Sequence, residues 1–401
     1  MKNLLSTYLK NKDFFKLKEE IEILDNKLPE KEILYYKMYL EYAFNNIKKS
    51  NTYVDILLSK YKDYFDKKTI AKILKVKSDN CVRSYCYKEA AETYNALLSE
   101  YEHEVNEEDI KEYKNEYAFC NSLQNVKPQT MKKNSDIQIK SYRNQFNHLM
   151  LPVECNDLGD EFLFDTGANI SVISETYAEK MGLKIFQSDS DVTASTGKRI
   201  KTKLAITERI NIGGIIFNNV VFLCMPDKEL SFPEINLEIH GIIGFPVIQQ
   251  LGEIHINKNG NIFIPKHYQK NNPKNMFLDQ LFPIVKILSR NETLLFNFDT
   301  GASKSDLTKK YYENHKAEVE NNGKLQSGER GGAGGTVNVD KYILNNFHYQ
   351  IGSKSGVLME IEVILQEYGY SKLFDGLIGQ DIIMQHEKMI LNLKEMYLDF
   401  E

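Results

Sequence analysis

Residues 161–174 read EFLFDTGANISVIS, and residues 294–308 read LLFNFDTGASKSDLT. Each stretch is a short apolar run ending in Asp-Thr-Gly-Ala, and the two aspartates, Asp165 and Asp299, stand 134 residues apart. Downstream, Gly241-Ile-Ile-Gly244 has its counterpart in Gly376-Leu-Ile-Gly379, 135 residues later. Ile254–Asn257 matches Met389–Asn392 at the same offset, and Leu149–Val153 lines up with Pro283–Ile287. Asp and Gly are ordinary turn residues, and one Asp-Thr-Gly triplet occurs by chance in roughly one chain of this length in ten. Two triplets with the same flanks and companion motifs at one offset indicate an internal duplication.

Outward from the duplication the chain changes texture. All 22 glycines lie at or after Gly159. Absence of glycine before that point fits helices joined by short polar connections. Phe14–Leu28, Glu30–Asn46, Tyr53–Tyr64, Thr69–Lys77, Tyr87–Tyr101 and Glu108–Ser122 carry apolar residues three and four apart, as amphipathic helices do. Asn51 and Asp109 are candidate caps, and Pro29 suits a helix start. The stretch beginning at Tyr87 resembles one helix of a tetratricopeptide-type repeat, although the 34-residue signature does not recur cleanly. From about residue 136, apolar runs of four to eight residues alternate with Gly and Asn turns, as strands do. The expected division is a helical array at 1–125, a linker at 126–135, and two mostly-β lobes at 136–270 and 271–401.

The composition narrows the function. The 401 residues, 42% hydrophobic, suffice for two or three domains with ordinary cores. A net charge of −5 argues against nucleic acid as a main partner. No apolar run is long enough to span a membrane. The N-terminal stretch has no apolar core of signal-peptide length, so the expectation is a cytoplasmic protein, or an envelope protein whose signal has been removed. Five cysteines without a CxxC pair read as free thiols, the histidines form no HExxH, and neither metal nor cofactor is expected.

Asp-Thr-Gly-Ala followed about 75 residues later by apolar–apolar–Gly resembles the retropepsin-type and pepsin-type aspartic peptidases. The resemblance spans 136–401 and leaves the helical region outside. It implies two β-rich lobes related by a pseudo-twofold axis, each giving one catalytic Asp, and a site completed within one chain, hence by a monomer. Chains joining a helical array to such lobes look like bacterial members. The substrate implied is a polypeptide bound extended between the lobes; the helical array offers a surface for a protein partner. Two rivals stand beside this reading: a catalytically silent peptide-binding module, and a helical-repeat interaction scaffold.

The chemistry follows from the residue types. Two facing carboxylates that share one proton can activate a water and protonate a leaving nitrogen. Like charges at about 4 Å repel by about 4 kcal/mol at an effective dielectric of 20, which separates the two ionisations by roughly 3 pH units. In the family, the hydroxyls of Thr166 and Thr300 bond across the axis to the opposite loop. Gly167 and Gly301 let backbone N–H groups approach the carboxylates. Ala168 and Ala302 stand where pepsins carry a hydroxyl, so activity is expected to peak at mildly rather than strongly acidic pH. Candidate flaps over the cleft are Ser195-Thr196-Gly197 in the first lobe and the glycine run around Gly332-Ala333-Gly334 in the second. Neither lobe offers an evident charged pocket, so apolar side chains are expected to flank the cut. Asp381 reads as a turn or helix cap.

Overall fold

The computed structural model describes residues 2–24, 27–193, 199–268, 273–332, 335–367 and 372–401. The chain divides into two compact units, one built on Met1–Gln129 with the short segments Ser188–Asp191 and Phe277–Gln280, the other holding the remainder.

The first is helical: Lys2–Lys10, Phe14–Leu24, Glu30–Ala43, Ile47–Lys60, Lys67–Arg83, Tyr87–Glu100 and Glu107–Ser122. The expected caps are corrected. Asn51 lies inside a helix and Asp109 in the first turn of another; the side chains that cap are Asp66, accepting from Thr69 N, and Asn106, accepting from Asp109 N. Local features recur 40 residues apart. Asn45 and Tyr85 both take φ 61° between helices, the 3-10 turns Lys62–Tyr64 and Glu102–Glu104 follow, and the caps Asp66 and Asn106 close the pattern. Leu57-Leu-Ser-Lys-Tyr61 and Leu97-Leu-Ser-Glu-Tyr101 carry it in sequence.

This unit contains a charged cluster with a pH consequence. Lys75 Nζ sits 2.7 Å from Asp79 Oδ1, and Tyr42 and Tyr94 donate to the same carboxylate. Nearby, burial pushes Glu116 up to about 7 against the pull of Lys75, with Asp79 and Glu112 adding to the rise. A carboxyl raised on folding stabilises least once both states are ionised. Stability is therefore full below about pH 4.5 and falls as pH rises to about 7. Glu116→Gln should remove that loss, gaining about 2–3 kcal/mol at pH 8 and nothing at pH 4. Thermal melts of both proteins across that range check it.

The second unit is β-rich. Its nine-stranded sheet is formed by residues 130–243. An eight-stranded sheet spans Met276–Ile378. Thr130–Met131, within the expected linker, pair as a strand with Asn218 and Phe217. A five-stranded sheet joins the two halves: Glu253–Asn257 runs antiparallel to Lys388–Asn392, with Ile254 opposite Leu391. The duplicated segments thus pair with each other.

Both large sheets repeat one pattern. A hairpin (Leu149–Cys155 with Leu158–Phe164; Phe282–Ser289 with Glu292–Phe298) leads into each triplet. The strand entering the triplet runs parallel to Gly241–Ile243 in one sheet and to Gly376–Ile378 in the other. These pair antiparallel with the strand leaving the triplet. Phe162, Phe164, Phe296 and Phe298 are fully buried and anchor both entering strands. No helix among the described residues is long and apolar enough to cross a membrane.

Candidate active site

Each triplet begins where a strand runs out. The ladder holds for one more residue, as Asp165 N–H donates to Ile243 O and Asp299 N–H to Ile378 O. The chain then turns, and Gly167 N–H returns to Asp165 Oδ1 while Gly301 N–H returns to Asp299 Oδ1, both at 2.8 Å.

Four hydrogen bonds lace the loops together. Thr166 Oγ1 donates to Phe298 O at 2.8 Å and accepts from Thr300 N at 3.0 Å. Thr300 Oγ1 donates to Phe164 O at 3.0 Å and accepts from Thr166 N at 3.0 Å. Both threonines are buried, at 0% and 2% exposure, so water cannot compete for these bonds. A serine-sized hydroxyl on a threonine frame meets both demands at once, being donor and acceptor together.

The lacing presses each glycine against the opposite carboxylate. A Cβ on Gly167 would fall 2.5 Å from Asp299 Cγ, and one on Gly301 2.6 Å from Asp165 Cγ. No side chain fits at either position. Behind the loops, Gly244 N–H donates to Ser171 Oγ and Gly379 N–H to Ser305 Oγ, while a Cβ at either glycine would strike the loop backbone.

The two carboxyls are half-buried, and each is packed against the glycine of the opposite loop. Burial raises both. Asp165 is pushed well above the usual carboxylate range by burial, then by the Asp299 charge. Asp299 is raised by burial, but the hydrogen bond from Asp165, the Gly301 N–H and the charge of Arg330 oppose the rise. A pair in this state holds a proton at pH values where free aspartates have none.

Of the residues singled out from sequence, Asp165, Thr166, Gly167, Asp299, Thr300 and Gly301 therefore meet at one point. Ser195, Thr196, Gly197, Ala333 and Gly334 lie outside the described residues. Gly332 ends the strand Lys324–Gly332 and pairs with Gly335. Asp381 stands in the first turn of the helix Gln380–Ile383 and accepts from Ser305 N–H and Oγ–H.

Several neighbours of the site escaped the sequence reading. Gln380 Nε2 donates to Thr300 O at 2.6 Å, and Arg143 Nη1 donates to Gln380 Oε1 at 2.8 Å. One charged pair escaped it as well: Arg330 Nη1 donates to Asp306 Oδ2 at 2.6 Å, in the sheet that carries Asp299. The signal was in the repeat itself, since Asp306 falls at the offset that carries Val172 in the first copy. Among the described residues, no cluster of three metal-ligating side chains occurs.

With this geometry in view, comparison with known proteins adds one positive finding. Residues 151–247 match a family model described as aspartyl protease. The match takes in the first triplet and Gly241–Gly244, and supports an aspartyl protease domain in this chain and a peptidase kind of hydrolase. No curated protein matches the chain.

Proposed function

We propose that the chain is an aspartic endopeptidase: a helical domain at 1–125 and a linker at 126–135, followed by lobes at 136–270 and 271–401 related by a pseudo-twofold axis. Asp165 and Asp299 are its catalytic residues, one from each lobe. Thr166, Gly167, Thr300 and Gly301 support them. The observation that supports this reading is the reciprocal threonine lacing, which draws the two aspartate loops together so that each glycine packs against the opposite carboxyl. The 40-residue recurrence in the helical unit favours reading it as an array of repeats.

A water between the carboxyls loses a proton to the charged one as its oxygen attacks the scissile carbonyl carbon. The protonated carboxyl gives its hydrogen to the carbonyl oxygen. The resulting tetrahedral diol collapses: the C–N bond breaks, the proton taken from water passes to the leaving nitrogen, and one hydroxyl of the diol returns its proton to the other carboxylate, leaving a carboxylic acid. The peptide lies extended between the lobes, paired along its backbone, with Ser195-Thr196-Gly197 and Gly332-Ala333-Gly334 as the flap candidates.

Cleavage of carboxymethylated insulin B chain between pH 3 and 8, with Asp165→Asn and Asp299→Asn as blanks, tests the reading. An inert wild type that still binds the chain would favour the silent binding module instead. The working pH follows from the missing hydroxyls. From its own loop each carboxylate accepts a backbone N–H, that of Gly167 or Gly301, and Ala168 and Ala302 bring no hydroxyl. Ala168→Ser adds a donor that favours the charged form. It should lower the acidic limb of the kcat/KM profile by up to about one pH unit. An unmoved limb, or a wild-type optimum below about pH 3, would contradict this.

A further inference from the structure

The two triplets sit in matching backbone frames, but the side chains behind them differ consistently. In register across the strands behind Asp165 run Leu163, Ile242, Val172 and Leu223. Behind Asp299 the same row is Asn297, Leu377, Asp306 and Glu362. In-register residues on neighbouring strands share a face, as do residues two apart on one strand. Asn297 and Asp306 therefore lie on the face that bears Asp299. Asp306 is 6% exposed and ion-paired to Arg330, which projects from the strand Lys324–Gly332, two residues short of its end. One strand further on, Lys341 and Glu362 form a second pair at 2.6 Å. Asn297 is fully buried, and among the described residues neither its amide oxygen nor its nitrogen finds a hydrogen-bond partner. A row that is wholly apolar in the first copy is thus polar in the second, and it ends beside one member of a pair that the backbone treats as equals.

We propose that Arg330, fixed in place by Asp306, orients the dyad: it holds Asp299 as the charged carboxylate, so that Asp165 keeps the shared proton. Its catalytic meaning rests on the peptidase reading, with Asp299 the base toward water and Asp165 the acid toward the carbonyl oxygen. Two identical acids in mirrored loops would divide the proton evenly; a cation on one side breaks the tie. Two cations stand on this side among the described residues: Arg143 is engaged by Gln380, behind Thr300, and Arg330 by Asp306, in the row behind Asp299. Asp165 faces it from the opposite loop. The Lys341–Glu362 pair cancels itself one strand away. His148, 3.2 Å from Ser303 Oγ, is held below its ordinary range by burial, which disfavours its charged form. Asp381 is engaged by Ser305. Arg330, held by Asp306 in the row behind Asp299, brings a positive charge that opposes protonation of Asp299. Arg330 is a positioning residue: it works through Asp299.

Carboxyl carbon-13 titration of the full chain labelled at aspartate tests this without turnover. In Asp165→Asn the remaining dyad acid is Asp299, and adding Arg330→Gln should raise its pKa by about one unit. In Asp299→Asn the same change should move Asp165 less than half as far. Asp306→Asn, which unmasks the guanidinium, should move Asp299 downward. Arg330→Lys should leave it near its starting value. If Arg330→Gln does not fold, the double variant R330Q/D306N keeps a neutral hydrogen-bonding pair in place and should still shift Asp299 upward. Equal shifts at Asp165 and Asp299, or none at Asp299, overturn the proposal. A wild type that cleaves nothing would count against the peptidase reading alone, because the titration still reads the charge placement.

Discussion

Replacing Asp165 or Asp299 by asparagine is expected to lower kcat/KM by at least about 10³-fold, since each change removes either the base or the acid of a pair that must be both. Either single change should cost about as much as the double one, because the two act as a unit. The same variants should be more stable than wild type at neutral pH. Both carboxyls are raised on folding. Below about pH 4 both states are protonated and no difference is expected. As pH rises past the unfolded value, the unfolded chain gains by ionising and the native pair resists, so wild-type stability falls until the folded values are passed. An amide does not ionise, and the melting temperature should rise by a few degrees at pH 7. Parallel cleavage assays and melts check both halves. A variant that loses activity and stability together would point to a structural role for that aspartate.

Thr166→Val is expected to have the largest effect outside the dyad. It removes a donor to Phe298 O and an acceptor for Thr300 N, both buried. Two unsatisfied backbone groups cost about 2–4 kcal/mol, equivalent to a fall of roughly 5–10 °C in melting temperature. The larger consequence is positional. Loss of the lacing lets the loops separate, and a misplacement of about 1 Å costs on the order of 10²-fold in rate. Thr166→Ser keeps the hydroxyl and should restore most of the activity. Thr300→Val should behave like Thr166→Val, because each threonine makes the same two bonds to the other loop. Unequal effects would mean that the loops are not held symmetrically.

Much of the β region was legible because duplication prints its geometry twice. A strand–triplet–strand read at residue 165 and again at 299 gives the loop, the crossing strand at Gly241–Ile243 and its partner at Gly376–Ile378 by spacing alone. The pairing of Ile254 with Leu391 was foreshadowed by two matching segments, though not that they would pair with each other. Arg330 was not legible. It meets Asp306 across 24 residues that hold two short helices, and no local pattern announces an ion pair formed by folding. Gln380 hid for a different reason: it occupies the place of Phe245, so only its contact with Thr300 O reveals a polar role. In the helical unit the matching turns and caps stand 40 residues apart, a spacing that the 34-residue tetratricopeptide pattern does not look for. The caps were misplaced because several Asn and Asp residues compete near each helix start. The winner is decided by which one takes extended backbone geometry, as Asp66 and Asn106 do.

The central claim is that two carboxyls share one proton across the laced loops. Carbon-13 titration of the wild-type dyad reads this directly. The account predicts two ionisations separated by roughly 3 pH units, with the upper one well above the ordinary aspartate value. Two coincident ionisations near pH 4 would contradict it.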